Sequence, residues 1–243
     1  MIDLPDPHQI SRALDRAGLR YVEDLRPNLP DQLSRWLIAL RASTRNLTAI
    51  RDPEQAIERH VIEPLRGRHR LIAADLPVPH GPLIDVGSGN GAPGLPFALC
   101  EPERPATLLD SRVGSLSFLQ AIVQQLGASW ITIHDERAER AGHGPLRERF
   151  ALALSRAAAP PATALELTIP FLQVGGIAMI WTGPLDPGVT TQINAVANVL
   201  GAEATPLDPP HDIAVFTKVR PSNPNHPRPW PQIRRRPLSE VAR

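Results

Sequence analysis

Cysteine and lysine are almost absent from this chain of 243 residues, with one of each, Cys100 and Lys218. A single cysteine excludes an internal disulfide. With one cysteine and eight scattered histidines there is no zinc-type ligand spacing, so no metal is expected.

Long apolar runs are also missing. The best candidate, residues 165–182, is interrupted by Glu166, Pro170 and Gln173, and a membrane span needs roughly 18 apolar residues. The first residues lack the basic head and apolar stretch of a secretory signal. We therefore expect a cytoplasmic monomer with no membrane partner.

Charge is balanced overall, at 26 basic and 25 acidic residues, but not locally. Residues 220–243 hold six arginines and one glutamate, a net charge of +5 in a chain of net charge +1. A segment so rich in proline and arginine buries little apolar surface. It is predicted to be mobile until it meets a polyanion or the protein's own surface, with a simple solvated tail as the alternative.

The first 80 residues are predicted to form a helical extension. Apolar residues recur at helical spacing around Ile10–Ala17 and Leu33–Leu40, and Asp52-Pro53 is typical of a capped helix start. From residue 82 the pattern changes. Short β-rich runs at 82–86, 106–109, 130–133, 150–154 and 176–181 alternate with helix-compatible stretches at 95–99, 113–126, 162–172 and 187–200.

This alternation predicts an α/β fold with a doubly wound, mostly parallel sheet. Two further runs, 203–207 and 213–219, are separated by a short Asp-Pro-Pro-His connection and predict a closing antiparallel pair. The predicted organisation is an extension (1–80), an α/β domain (81–219) and a basic tail (220–243).

The most informative segment is a strand that runs into four glycines and then a helix, Leu83-Ile-Asp-Val-Gly-Ser-Gly-Asn-Gly-Ala-Pro-Gly94. Such loops let the backbone approach a dinucleotide or S-adenosylmethionine closely. Read from Gly87, the dinucleotide pattern fails at Ala92. Asp85, two residues before the first glycine, instead favours a class I methyltransferase.

The ends of the next strands should supply further contacts to the methyl donor, S-adenosylmethionine. Asp110 ends the second strand, where a carboxylate can accept ribose hydroxyls, although it could instead cap the next helix. The third strand end, His134 to Glu139, is where such folds hold adenine, with surface charge as the alternative.

Several blocks resemble the bacterial 16S ribosomal RNA guanine-N7 methyltransferase family, also called the glucose-inhibited division protein B family. The blocks are Asn46–Pro53, Arg59-His60, the glycine loop, Leu108–Ser111 with Phe118-Leu119, Ser155-Arg156-Ala157 and the Pro/Arg-rich ending. The resemblance implies a class I methyltransferase that uses S-adenosylmethionine to form 7-methylguanosine in the small ribosomal subunit. The donor site it implies comprises Gly87, Ser88, Gly89, Gly91, Ala92, Asp110, Ser111, Ala138, Glu139 and Arg156.

Guanine N7 has an available lone pair, so the implied chemistry is alignment without a catalytic base. Arg156, Asn46 and His60 are candidates for positioning groups; Asn46 could instead be a turn residue and His60 a surface or capping residue.

Departures from the family concern the RNA side. Where the family commonly has Gly-Lys-Arg and then another basic residue, this chain has Val113-Gly-Ser115 and Ser117; Thr182 replaces a lysine, and Ala92 a larger apolar residue. Phosphate neutralisation would then rest on other arginines. The candidates are Arg45, Arg51, Arg59, Arg228, Arg234, Arg235 and Arg236, with Arg41 beside them. Another RNA, a small-molecule acceptor, or RNA binding without turnover are the alternatives.

Overall fold

The first part of the chain is helical. The structure, a computed structural model, describes residues 4–74, 76, 80–207 and 212–241. The first helices are α1 (Pro7–Arg16), α2 (Arg20–Leu25) and α3 (Leu29–Ala42). The Asp6 side chain caps α1 by accepting a hydrogen bond from the Gln9 amide, and the Gln9 side chain accepts one from the Asp6 amide.

One interrupted helix completes the extension. It comprises α4 (Pro53–Ile57), a π-helical turn (Glu58–Ile62) and α5 (Glu63–Ala73). Asp52 caps it, its carboxylate accepting the Gln55 amide at 2.8 Å, as its position before a proline predicted. The π turn contains His60, and such turns are frequent at functional sites.

A seven-stranded sheet follows, in the order β3-β2-β1-β4-β5-β7-β6. Its strands are β1 (Leu83–Val86), β2 (Ala106–Asp110), β3 (Ile131–Asp135), β4 (Phe150–Arg156), β5 (Leu172–Trp181), β6 (Ala202–Ala204) and β7 (Ile213–Lys218). β1 to β5 pair in parallel, and β7 pairs antiparallel with both β5 and β6. The predicted doubly wound sheet and closing antiparallel pair are confirmed. The connection at 208–211 lies outside the described residues.

The helices of this part of the chain are α6 (Gly94–Cys100), α7 (Val113–Gln125), α8 (Ala138–Ala141), α9 (Pro161–Thr168), α10 (Pro187–Val199) and α11 (Trp230–Arg235). Of these, α6, α7, α9 and α10 lie at the predicted places, whereas α8 and α11 were not predicted. The helix predicted over 162–172 ends at Thr168, because Pro170 lacks an amide hydrogen, and a 3-10 turn leads into β5. In the described ranges, no helix is both long and apolar enough to cross a membrane.

The extension and the sheet share one apolar core, which contains Trp36 of α3 together with Leu83 of β1 and Leu95 of α6. The Trp36 side chain is fully buried, and its indole Nε1 donates to the carbonyl of Asn90 at 3.0 Å. The extension is thereby fixed against the glycine loop.

The tail packs against the protein's own surface, one of the two partners predicted to order it, and its described residues are not a simple solvated tail. Ile233 and Leu238 are buried in the apolar layer beneath α9 and α10. Glu166 of α9 is completely buried and binds Arg228 through two contacts of 2.7 Å, Nε to Oε1 and Nη2 to Oε2. Since Arg228 is only 16% exposed, we correct its assignment from an RNA contact to the tail's anchor.

The Arg228→Ala variant should lose about 3–5 kcal/mol of unfolding free energy, because Glu166 would stay buried without its cation. Burial alone would raise the pKa of Glu166, but hydrogen bonds from Arg228 and His226 lower it to about 2. This stabilisation is therefore present above pH 4.5 and lost as the pH falls towards 2. Urea denaturation at pH 7 and pH 3 should show a flatter acid dependence in the variant.

The control is Arg234→Ala, since Arg234 is an exposed arginine of the same tail, in the last turn of α11. It should change stability by no more than about 0.5 kcal/mol. Equal losses in the two variants would contradict the anchoring role of Arg228.

Candidate functional site

The glycine loop turns sharply at the carboxyl end of β1. Gly87, Gly89 and Gly91 all have positive φ angles, of 77°, 55° and 105°. The amides of Gly87 and Ser88 both donate to the carbonyl of Leu109, at 2.9 and 3.0 Å. The loop is thus tied to the end of β2 and carries little side-chain bulk towards solvent.

Asp85 supports the loop from below. It is fully buried, and its Oδ2 accepts the Gly94 amide at 3.0 Å, while its Oδ1 has no hydrogen-bond partner among the described residues. Burial raises the pKa of Asp85 to about 7, against the lowering effect of the Gly94 amide. Asp85 therefore fixes the start of α6 without itself reaching the cleft above.

Asp110 holds the loop from the side. Its Oδ2 accepts the Gly89 amide and its Oδ1 accepts the amides of Ser111 and Arg112, each at 2.8 Å. The Arg112 side chain adds contacts of 3.2 and 3.3 Å. Burial opposes ionisation, but these hydrogen bonds lower the pKa of Asp110 and keep it a carboxylate.

The Arg112 guanidinium is 69% exposed. An exposed group of this kind can yield its place to ribose hydroxyls, because moving it into water costs little. Both predicted roles of Asp110, ligand carboxylate and local cap, are compatible with this geometry.

A cleft of about 460 Å³ opens above the loop, at the point where the strand order reverses between β1 and β4. Nine of the ten predicted donor residues line it: Gly87, Ser88, Gly89, Ala92, Asp110, Ser111, Ala138, Glu139 and Arg156. Gly91 does not. It packs towards Leu95 and Leu119 and shapes the loop instead.

Further lining residues were not among the predicted donor contacts, although some lie inside the motifs that pointed to the site: Leu47, Asn90, Arg112, Glu136, Arg137, Ala157, Ala158, Leu167 and Trp230. Most are neighbours of predicted residues and could have been found by extending each strand-end motif by a few positions. Leu47 belongs to the extension and Trp230 to the tail. Tertiary contacts that local sequence patterns do not specify bring them to the cleft.

Arg156 is held by the π turn of the extension. Its Nη1 donates to the Arg59 carbonyl at 2.5 Å, and its Nη2 lies 3.4 Å from His60 Nδ1. A guanidinium only donates, so Nδ1 must accept, which leaves the proton on Nε2, 3.3 Å from Thr48 Oγ1. Burial, with Arg156 and Arg59 nearby, lowers the pKa of His60 to about 4. A neutral His60 therefore orients Arg156.

A second cleft, of about 510 Å³, lies on the other side of Arg156. It shares Arg156 and Ala157 with the first cleft, and its remaining walls come from the π turn, α5, α9 and the residues after β5. Ala157 has φ of 55°, an uncommon backbone conformation for alanine that concentrates at functional sites. The two clefts meet at the carboxyl end of β4.

The remaining predicted residues lie elsewhere. Asn46 is exposed with φ of 51°, a conformation that asparagine tolerates in turns, and it lines neither cleft. Arg59 pairs with Glu63 at 2.5 Å beside the second cleft. Arg45 and Arg51 are exposed. The turn alternative for Asn46 is the one that its conformation favours.

Comparison with known proteins assigns the family. The family model for GidB, rRNA small subunit methyltransferase G, matches residues 32–204. The chain belongs to this family. Three proteins named ribosomal RNA small subunit methyltransferase G illustrate the likeness.

The protein of Clostridium beijerinckii is 35% identical over 79% of this chain and 83% of its own. That of Clostridium perfringens (strain 13) is 29% identical over 94% of this chain and 97% of its own. That of Synechococcus sp. (strain JA-3-3Ab) is 32% identical over 82% and 81%. Among solved structures, an rRNA methylase from Streptococcus thermophilus is 18% identical, with a TM-score of 0.46, over 65% of this chain and 97% of that one.

The cofactor of this methyltransferase is S-adenosylmethionine. The cleft fits it: a Cβ added to Gly87 would lie 2.6 Å from Ala158 Cβ, so only glycine fits where the loop passes Ala158, and the loop presents bare backbone to the cleft. We assign Asp110 to the ribose, Ala138 and Glu139 to the adenine end, and Arg156 to the methionine carboxylate as proposals that follow from this chemistry.

Asp110→Ala should weaken binding of S-adenosylhomocysteine by about 1–3 kcal/mol, because it removes both the ribose acceptor and the anchor of the Gly89 amide. Isothermal titration calorimetry measures this directly. Asp135→Ala is the matched control, since Asp135 pairs with Asp110 in the sheet but does not line the cleft. Comparable losses in both variants would rule out a specific ribose contact.

Proposed function

We propose that this protein transfers a methyl group from S-adenosylmethionine to N7 of a guanine in 16S ribosomal RNA of the small subunit. The observation that carries the proposal is the junction of the two clefts at Arg156 and Ala157. With the donor in the first cleft and Arg156 at its methionine end, a base in the second cleft would face the methyl group. The names of the relatives supply the substrate class.

Methyl transfer to N7 requires that the methyl donor and the guanine be aligned. S-adenosylmethionine supplies an electrophilic methyl group, and guanine N7 offers a lone pair without prior loss of a proton. The chain's own work is to hold the two reactants in line and close together. Arg156, oriented by the neutral His60 and the Arg59 carbonyl, fixes one end of the donor beside the second cleft.

The second cleft has polar groups that suit a nucleobase. Arg59, Arg66 and Thr182 line it and carry side-chain donors for a base that enters the cleft. The base must be unstacked to reach it, as RNA recognition generally requires.

Phosphate contacts come from two places around the donor cleft. Arg45 of the extension lies against Gly114: a Cβ added there would be 3.7 Å from the Arg45 Cβ. It thus brings a positive charge to the start of α7, where Val113, Ser115 and Ser117 supply none. Arg234, Arg235 and Arg236 follow Trp230 within two helical turns, are exposed, and have no ion-pair partner among the described residues.

Small ribosomal subunits from a strain that lacks its own enzyme should accept a labelled methyl group when incubated with this protein and S-adenosylmethionine. Chemical cleavage at 7-methylguanosine should then map one modified guanine in 16S RNA. Naked 16S RNA, tested in parallel, decides whether the assembled particle is required. Binding of S-adenosylhomocysteine without any transfer to subunits would overturn the RNA assignment and favour another acceptor.

Replacement of Arg234, Arg235 and Arg236 by alanine should weaken RNA binding and flatten its salt dependence. Three lost phosphate contacts correspond to a change of about 2–3 in the slope of log K against log salt. The matched control replaces Arg12, Arg16 and Arg20, which are exposed on the extension and line neither cleft. Filter binding over a salt series measures both, and equal slopes would remove the tail arginines from the RNA surface.

A further inference from the structure

We propose that the tail contributes Trp230 to the donor site, where its indole ring contacts the adenine of S-adenosylmethionine. The proposal rests on the donor assignment of the cleft, and extends it to a segment that no strand-end motif identifies. This contact can be tested without RNA and without methyl transfer.

Trp230 lies at the end of the cleft assigned to adenine. It shares that wall with Ala138 and Glu139, which follow β3, and with Leu167 of α9. Among the described lining residues it is the only aromatic side chain. Adenine is a flat ring with apolar faces, and an aromatic side chain offers a surface of matching shape that stacks on it.

The α/β domain sets the orientation of the indole. The guanidinium carbon of Arg137 lies 5.1 Å from the centre of the Trp230 ring, a cation–π contact. Arg137 Nε in turn donates to Glu139 Oε1 at 3.2 Å. The indole is therefore tied to the strand end that the adenine would occupy.

The backbone on both sides of Trp230 is fixed in place. Upstream, Arg228 binds the buried Glu166, and the Pro227 carbonyl accepts His143 Nε2 at 2.7 Å. Arg147 donates to four carbonyls, of which His226, Ser222 and Asn223 belong to the tail. Downstream, Ile233 is completely buried.

Because these contacts hold the segment before the donor arrives, placing the indole against adenine costs little conformational entropy. A packing role alone would not require such a position. Trp36 and Trp181 are buried in the main core, and the Trp130 indole donates to the Ala98 carbonyl at 2.8 Å. Trp230 is half-buried, and its indole N–H has no hydrogen-bond partner among the described residues.

Calorimetry with S-adenosylhomocysteine and full-length protein tests the proposal. Trp230→Ala should weaken binding about 5- to 150-fold, the range that stacking of one base on an aromatic ring gives. Trp230→Phe, which keeps an aromatic surface, should bind within about threefold of the unaltered protein. 5′-Methylthioadenosine, which lacks the amino-acid part, should lose affinity in Trp230→Ala by a similar factor, because the lost contact is to adenine.

Tryptophan fluorescence separates ligand contact from packing. Since the other three tryptophans do not line the cleft, the change in emission on adding S-adenosylhomocysteine should come from Trp230 and should vanish in Trp230→Phe while affinity is kept. This second variant remains informative even where Trp230→Ala is poorly folded.

Two results would overturn the proposal: affinity of folded Trp230→Ala within twofold of the unaltered protein, or an emission change that persists in Trp230→Phe. Failure of the unaltered protein to bind S-adenosylhomocysteine would overturn the donor assignment with it. A failed methyl transfer to ribosomal subunits, with donor binding intact, would leave the Trp230 contact supported and reject only the RNA acceptor.

Discussion

Two carboxylates hold the loop on which the donor cleft depends. Asp85, inside β1, accepts the amide that begins α6, and Asp110, at the end of β2, accepts the Gly89 amide. The loop has positive φ angles at three glycines and cannot form a regular ladder with its neighbours. The amides of Gly87 and Ser88 still reach the Leu109 carbonyl, but those of Gly89 and Gly94 take side-chain acceptors, and adjacent parallel strands present both carboxylates at the same edge of the sheet.

The same edge is reached by segments that lie far away in sequence, and α9 is the element that connects them. Two consecutive residues of α9 make different contacts: Glu166 binds Arg228 of the tail, and Leu167 lines the donor cleft. The extension reaches the cleft in a comparable way, since Asn90 binds both the Trp36 indole and the Leu47 carbonyl. The cleft is thus closed by three parts of the chain that only tertiary contacts bring together.

This division explains which features the sequence could predict. The strands, the glycine loop and Asp110 are local: a short apolar run, a turn residue or a strand end identifies each within a few positions. For the tail, composition is that of a disordered segment and leaves open which partner orders it. The charge that anchors it, Glu166, sits inside an apolar helix, where nothing local indicates a partner 62 residues away.

Charge at the junction of the clefts constrains what can bind there. Arg59 and Arg156 lie together, and Glu63 approaches both, at 2.5 and 3.9 Å. If His60 were protonated, a third cation would crowd this point; burial keeps it neutral and makes it an acceptor for Arg156. One positive charge is then left in excess over the carboxylate of Glu63. A methionine carboxylate is the part of the donor that would balance this charge, which supports the proposed place of Arg156 at the methionine end of the donor.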